Sequence, residues 1–157
     1  MNAERYEEAI PSANESVRLA IIRYGPISDG VASRQGVLAT ILQRAQRYPE
    51  AEQYFQEAVH TARARCIQLE RSESLALATA LSNLGLFLFE CGRSAEALEP
   101  LRQALRMQEQ ISGRGSRSCA IPAFNLGSVL MEFEEFRIEG ELLVEDAKSL
   151  LQPGVQI

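Results

Sequence analysis

The feature that most constrains this chain is a sequence pattern that returns at intervals of 42 to 46 residues. Asn-Leu-Gly at 83–85 returns at 125–127, and Leu-Ala at 38–39 stands 46 residues before Leu-Gly at 84–85. Small and large residues further along the unit also recur 46 apart, with Ala51, Phe55 and Ala58 matching Ala97, Leu101 and Ala104. One such unit cannot bury its own apolar side, so the pattern predicts an array of stacked neighbouring units.

Each unit is predicted to be two helices joined by a turn. The leucines that begin the second unit are spaced by four, three and four residues, at Leu77, Leu81, Leu84 and Leu88. This spacing places them on one face of an α-helix, and Gly92 suits the left-handed conformation that ends such a helix. The same reasoning predicts seven helices, at residues 3–24, 31–46, 49–70, 73–91, 94–111, 117–133 and 135–151. No segment keeps the period of a strand for long, so the predicted fold class is all-α.

This pattern resembles the tetratricopeptide repeat (TPR), a helix–turn–helix unit with Gly or Ala after a Leu in its first helix and small residues in its second. Leu38-Ala39, Leu84-Gly85 and Leu126-Gly127 fit the first helix, and the recurring small and large residues fit the second. The usual period is about 34 residues. The longer period found here, with Asn-Leu-Gly and a Gly-Arg turn, is most similar to kinesin-light-chain-type repeats.

The resemblance implies a right-handed superhelical array of antiparallel helix hairpins, with about three and a half repeats in a single domain of residues 1–157. An unpaired N-terminal helix of the second type at 3–24 is followed by repeats at 31–70, 73–111 and 117–151. The last repeat is degenerate, because Glu134-Glu135-Phe136 replaces the Gly-Arg turn and its small residues fall about one position out of register. It is either a terminal capping repeat, whose outer face meets water, or a repeat with a misplaced boundary.

The resemblance also implies a concave groove, lined by the first helices, that binds a partner. Groove-facing positions in this family are fixed by their distance from the Leu of the first helix. Carried onto this chain, they are Gly36, Val37, Thr40, Gln43 and Arg44 in the first unit, Ser82, Asn83, Leu86, Phe89 and Glu90 in the second, and Phe124, Asn125, Ser128, Met131 and Glu132 in the third.

Asn83 and Asn125 are the central pair of this predicted groove, because an amide can donate to and accept from the backbone of an extended peptide. Alternatively, each Asn ties adjacent helices together. Val37 occupies the matching place in the first unit and breaks the series. The apolar groove positions either contact an apolar ligand or pack against a neighbouring helix. Arg44 is the single basic residue at these positions, so an anionic carboxyl-terminal tail is not the expected ligand.

Composition argues against several other functions. The 157 residues carry a formal net charge of −5 with a pI of about 5, whereas a nucleic-acid surface needs clustered Lys and Arg. No apolar stretch is long enough to span a bilayer, and the N-terminus lacks the pattern of a secretory signal. Cysteines at 66, 91 and 119 indicate neither a disulfide framework nor a metal site. We therefore expect a cytoplasmic protein without a metal or cofactor, which binds neither nucleic acid nor membrane.

Catalytic motifs are missing from the sequence. His60 is the only histidine, and Gly113-Arg114-Gly115-Ser116 lacks the flanks of a phosphate-binding loop. We therefore predict a non-catalytic protein–protein interaction module whose groove binds a peptide or helix segment of another protein. The alternative is a self-associating scaffold, or a fragment of a larger TPR assembly, that stacks through its uncapped ends and forms homo-oligomers through its terminal helices.

Overall fold

A computed structural model describes residues 3–152, which form seven α-helices and two short 3₁₀ turns, without a β-strand in that range. The helices are α1 (Ala3–Tyr24), α2 (Asp29–Arg44), α3 (Tyr48–Gln68), α4 (Leu75–Glu90), α5 (Ser94–Ser112), α6 (Ala120–Leu130) and α7 (Arg137–Leu151). The 3₁₀ turns precede α6 and α7, at Arg117–Cys119 and Glu134–Phe136. The predicted all-α fold of seven helices is confirmed, and the observed ends lie within three residues of the predicted ones.

The chain divides into two compact units, Met1–Leu84 and Gly85–Ile157. The first unit contains α1, α2, α3 and the start of α4, and its closest helix pairs are α2 with α3 and α1 with α2. The second contains the end of α4 with α5, α6 and α7, and there α6 packs against α7 and α5 packs against α6. The repeat boundaries given above, within a single domain, stay predictions.

Local chemistry sets the ends of the helices. The Ser28 hydroxyl accepts a hydrogen bond from the Val31 amide at 3.3 Å, so α2 begins at Asp29, two residues before the predicted start. Gln46, with a φ of 64°, lies in the turn between α2 and α3, and Gly92, with a φ of 74°, lies in the turn between α4 and α5. Both residues are in the left-handed conformation. They stand 46 residues apart, so the same turn geometry is repeated with and without glycine.

Small residues let the two helices of a hairpin approach closely. Ala39 of α2 and Ala51 of α3 are both fully buried in the first hairpin. In the next hairpin, a Cβ added at Gly85 would lie 2.6 Å from Cγ of Leu101 in α5, a distance that real Cβ atoms do not show. Gly85 therefore lets Leu101 pack directly onto the backbone of α4. These are the small positions that the repeat pattern predicts.

The degenerate third repeat keeps the same pairing with one extra residue in its turn. A Cβ on Gly127 of α6 would lie 2.8 Å from the carbonyl oxygen of Gly140 in α7, so these two backbones are in contact. The small residue of the second helix follows that of the first by 12 residues in the second repeat (Gly85 to Ala97) and by 13 in the third. The 3₁₀ turn at Glu134–Phe136 accommodates the additional residue. The register shift therefore comes from the turn, and the helix pairing is retained.

Equivalent ion pairs lie at the start of α3 and at the start of α5, which are the second helices of the first two repeats. Arg47 donates two hydrogen bonds to Glu50, each of 2.6 Å, and Arg93 donates two to Glu96, each of 2.7 Å. The hydrogen bonds from Arg93 hold the pKa of the Glu96 carboxyl below its ordinary value. Both pairs are exposed to solvent, so we expect them to orient the turns more than to stabilise the fold.

Candidate functional site

A groove of about 460 Å³ runs between α2 and α4 within the first unit. We call it the α2–α4 groove. Its lining residues on α2 are Asp29, Ala32, Ser33, Gly36, Val37 and Thr40, and those on α4 are Leu75, Ala76, Thr79, Ala80 and Asn83. Both are first helices of their repeats, which is the surface that the family resemblance predicts for partner binding.

The floor of the α2–α4 groove consists of small residues. Ala32 and Ala80 are buried, and Gly36 presents backbone alone. A methyl group added at Gly36 would lie 3.6 Å from Nδ2 of Asn83, an ordinary van der Waals distance, so α4 stands close across from this glycine. Because the floor has no long side chains, a partner's side chains can approach the helix backbones.

The rim of the groove is apolar on both helices. Val37 on α2 is 55% exposed and Leu75 on α4 is 58% exposed. Thr40 is exposed, and its hydroxyl donates to the Gly36 carbonyl at 3.0 Å. Asp29 is the single charged residue of the lining. A cleft with exposed aliphatic side chains and few charges fits an apolar segment of another chain.

The amide of Asn83 is the polar group best placed for a ligand. It lines the groove, and within residues 3–152 its side chain makes no hydrogen bond. An amide has two N–H donors and one carbonyl acceptor, which match the C=O and N–H groups of an extended backbone. Asn125, its counterpart in the third repeat, already has an interaction within the protein. Asn83 and Asn125 occupy equivalent positions in the repeat pattern, but their side chains have different surroundings in the structure.

The remaining predicted groove residues do not line the α2–α4 groove. In the first unit, Gln43 and Ser82 are half-buried with interactions of their own, and Arg44 is exposed in the last turn of α2. In the second unit, the half-buried ones are Leu86, Phe89, Asn125 and Ser128, and the exposed ones are Glu90 and Phe124. The Ser128 hydroxyl donates to the Phe124 carbonyl at 2.8 Å. Phe124, at 42% exposed, remains open to an apolar contact.

Met131 and Glu132 lie just after α6 and do not line the α2–α4 groove. Their distance from Leu126 places them in the predicted groove, and they follow the observed end of α6 at Leu130. Met131 contacts the partner helix of its own hairpin, since a Cβ on Gly140 would lie 2.9 Å from Cγ of Met131. The Glu132 carboxylate accepts a hydrogen bond from the Ser94 hydroxyl at the start of α5. Both residues belong to the turn region of the third hairpin.

Sequence reasoning missed the N-terminal half of the groove. Seven of the lining residues were not among the predicted positions: Asp29, Ala32, Ser33, Leu75, Ala76, Thr79 and Ala80. The signal was available, because residues three to four positions before a groove residue lie on the same helix face. Extending the face by this rule from Gly36 leads to Ala32 and Ser33, and from Asn83 to Thr79 and Ala80.

Metal ligands, cysteines and membrane spans within residues 3–152 bear on the remaining predictions. No group of three His, Cys, Asp or Glu side chains in that part of the chain could hold a metal ion. His60 is exposed on α3, and Cys66 and Cys119 are buried. Burial raises the pKa of the Cys119 thiol, with a smaller contribution from the negative charge of Glu109. Over the same residues, no helix has the length and apolar character needed to cross a membrane.

Comparison with known proteins agrees with this geometry. Two family models described as tetratricopeptide repeat match the sequence, one at residues 1–64 and the other at residues 77–118. No curated protein gives a significant match.

Two solved structures are similar to the chain. One is BtubC (BKLC) from P. vanneervenii, with a TM-score of 0.76 at 21% identity, covering 98% of this chain and 62% of that one. The other, described as nearly identical TPR-like repeats of a kinesin light chain from Podosopora anserina, has a TM-score of 0.67 at 19% identity. It covers 94% of this chain and 67% of that one. This chain thus spans less than two thirds of the length of BtubC, and at these identities the likeness establishes the fold.

The hairpins, their repeated spacing and the family matches lead to one conclusion. The chain belongs to the tetratricopeptide repeat family.

Proposed function

We propose that this chain is a non-catalytic protein-binding module that holds a peptide or helix segment of a partner protein in the α2–α4 groove. The observation that carries the proposal is the groove itself, with exposed Val37 and Leu75 standing over a floor of small residues. TPR proteins in general bind other proteins, which supports the same class of function.

The lining of the groove indicates which partner segment fits best. Val37 and Leu75 favour apolar side chains, and the Asn83 amide favours a stretch of accessible backbone. Asp29 would repel a carboxylate at its end of the groove, so a segment rich in acidic residues is disfavoured. The expected ligand is therefore a mainly apolar segment that is neutral or basic near Asp29.

The setting of this function is also part of the proposal. We propose a cytoplasmic protein that works without a metal or cofactor and binds neither nucleic acid nor membrane. A net charge of −5 supports the statement on nucleic acids, because a polyanion would be repelled.

The first test is selection of ligands from a library of random peptides displayed on phage, with the whole chain as the immobilised target. A selected peptide is then titrated against the wild type and against Asn83→Ala by fluorescence anisotropy. We expect Asn83→Ala to weaken binding about tenfold, since the peptide loses hydrogen bonds in a partly desolvated site. Far-UV circular dichroism should be unchanged, because the Asn83 side chain makes no hydrogen bond within the described protein.

Matched variants keep this test specific. Gln110→Ala removes an exposed amide of α5 outside the groove and should leave the affinity unchanged. The double variant Asn83→Ala with Asn125→Ala measures whether the asparagine of the third repeat contributes as well. If the double variant binds the selected peptides as tightly as the wild type, the assignment of the asparagines to binding is rejected.

A further inference from the structure

A second open surface lies on α1, away from the α2–α4 groove. A slot of about 640 Å³ follows one side of this helix, and Arg34 of α2 also lines it. We call it the α1 slot. The α1 residues that line it are Pro11, Ser12, Glu15, Ser16, Leu19, Ala20, Arg23 and Tyr24. Leu19 is 52% exposed and neighbouring Ile22 is 69% exposed, so the surface beside the slot is apolar.

The internal repeat shows that this face of α1 is built to pack against a helix. Arg-Tyr-Glu-Glu-Ala at 5–9 matches Arg-Tyr-Pro-Glu-Ala at 47–51, so α1 is equivalent to α3 at an offset of 42. In α3, which pairs with α2, Phe55 and Ala58 are almost completely buried. Their equivalents in α1, Ala13 and Ser16, are only partly covered. The part of the chain that the structure describes therefore leaves one helix-packing face of α1 open.

Charges at the two ends of this face indicate what can cover it. Glu8 and Arg23 are 15 residues apart, about four helical turns, and so lie on nearly the same side of α1. Over residues 3–152, neither makes an ion pair, and the Arg23 guanidinium only stacks on the Tyr24 ring at 5.4 Å. Glu15, between them, is already paired with Arg18 at 2.7 Å. Over residues 3–152, the open face thus has Glu8 towards one end and Arg23 towards the other, neither of them in an ion pair.

We infer that the α1 slot is the interface of a two-fold symmetric dimer in which α1 packs antiparallel against α1 of a second copy of this chain. In an antiparallel pair of identical helices, the numbers of two residues that face each other add up to a constant. Placing Glu8 of one copy opposite Arg23 of the other sets this sum at about 31. Both ends of the pair then bring opposite charges together. The same register places Ser16 near the symmetry axis and Leu19 over Ser12 of the second copy. This inference does not depend on the proposed function, because no residue that lines the α1 slot also lines the α2–α4 groove.

Sedimentation equilibrium of the full chain tests this inference. The wild type should form a dimer of twice 17.4 kDa that dissociates on dilution and weakens with added salt. Glu8→Arg alone and Arg23→Glu alone each place like charges opposite one another at both ends, and each should weaken the dimer about tenfold or more. An equimolar mixture of the two variants should regain the wild-type affinity, because the heterodimer again pairs opposite charges at both ends.

Control variants separate this interface from a general effect of charge. Arg71→Glu makes the same charge change in the exposed segment before α4 and should leave the dimer unchanged. Ser16→Cys, in a Cys91→Ser background, should form a disulfide across the symmetry axis under oxidising conditions. A chain that is monomeric at every concentration overturns the inference. Dimers that tolerate both single charge reversals, or that fail to cross-link at Ser16→Cys, overturn it as well.

Discussion

Replacing Gly140 by Ala is expected to lower the free energy of unfolding by about 2 kcal/mol or more, although Ala is normally the better helix former by about 1 kcal/mol. The added Cβ would lie 2.7 Å from the carbonyl oxygen of Gly127 and 2.9 Å from the amide nitrogen of Met131. Both are backbone atoms of the facing segment, so relief requires α6 and α7 to move apart. Urea denaturation followed by circular dichroism measures the loss as a lower midpoint.

Gly36→Ala is the matched control for this prediction. Gly36 also lies inside a helix and is also buried, but a Cβ there meets only Nδ2 of Asn83 at 3.6 Å. This variant should be stabilised by about 0.5–1 kcal/mol, since Ala restricts the unfolded chain without a clash. If Gly140→Ala and Gly36→Ala both raise the urea midpoint, the close contact between α6 and α7 is contradicted.

The second large effect is expected at the rim of the α2–α4 groove. Val37→Glu and Leu75→Glu each place a carboxylate where the proposed partner buries apolar side chains. Each should weaken binding of a groove-selected peptide by about tenfold or more, and the double variant should abolish measurable binding. Both residues are more than half exposed, so the folded protein should retain its helicity. Isothermal titration calorimetry gives the affinities.

Ile67→Glu is the control for the rim variants. Ile67 is 74% exposed on α3, outside the groove, and receives the same change from an apolar to an acidic side chain. Its affinity for the peptide should equal that of the wild type. If Ile67→Glu and Val37→Glu weaken peptide binding equally, the peptide responds to the net charge of the protein. The proposal that it binds in the α2–α4 groove would then be rejected.

The hairpin repeat could be predicted from the sequence because it depends on contacts that recur. Gly85 and Gly127 each stand at a close helix contact, and each was found by its place after a Leu in a repeated pattern. The end of α6 was placed too late, since the one-residue insertion that follows changes the turn and leaves no left-handed residue to mark it.

The candidate site was predicted only in part for a related reason. Position in the repeat identified Gly36, Val37, Thr40 and Asn83, because all four lie near the Leu that anchors the alignment. Partners of a side chain cannot be read from position in a repeat. Asn83 and Asn125 occupy the same place in their repeats. Within the described protein, Asn125 has a hydrogen bond or a comparable interaction, whereas the Asn83 side chain makes no hydrogen bond. Distinguishing them requires the surroundings of each amide in three dimensions.

The central claim, that α2 and α4 hold a partner segment between them, is tested most directly by nuclear magnetic resonance of the ¹⁵N-labelled chain. A library-selected peptide is titrated into the protein while backbone and Asn side-chain amide shifts are followed. If the peptide lies between these two helices, the largest changes fall on residues 29–40 and 75–83, including the Asn83 side-chain amide. Changes confined to α3, α5 or α7, with the α2–α4 groove unaffected at saturation, would contradict it.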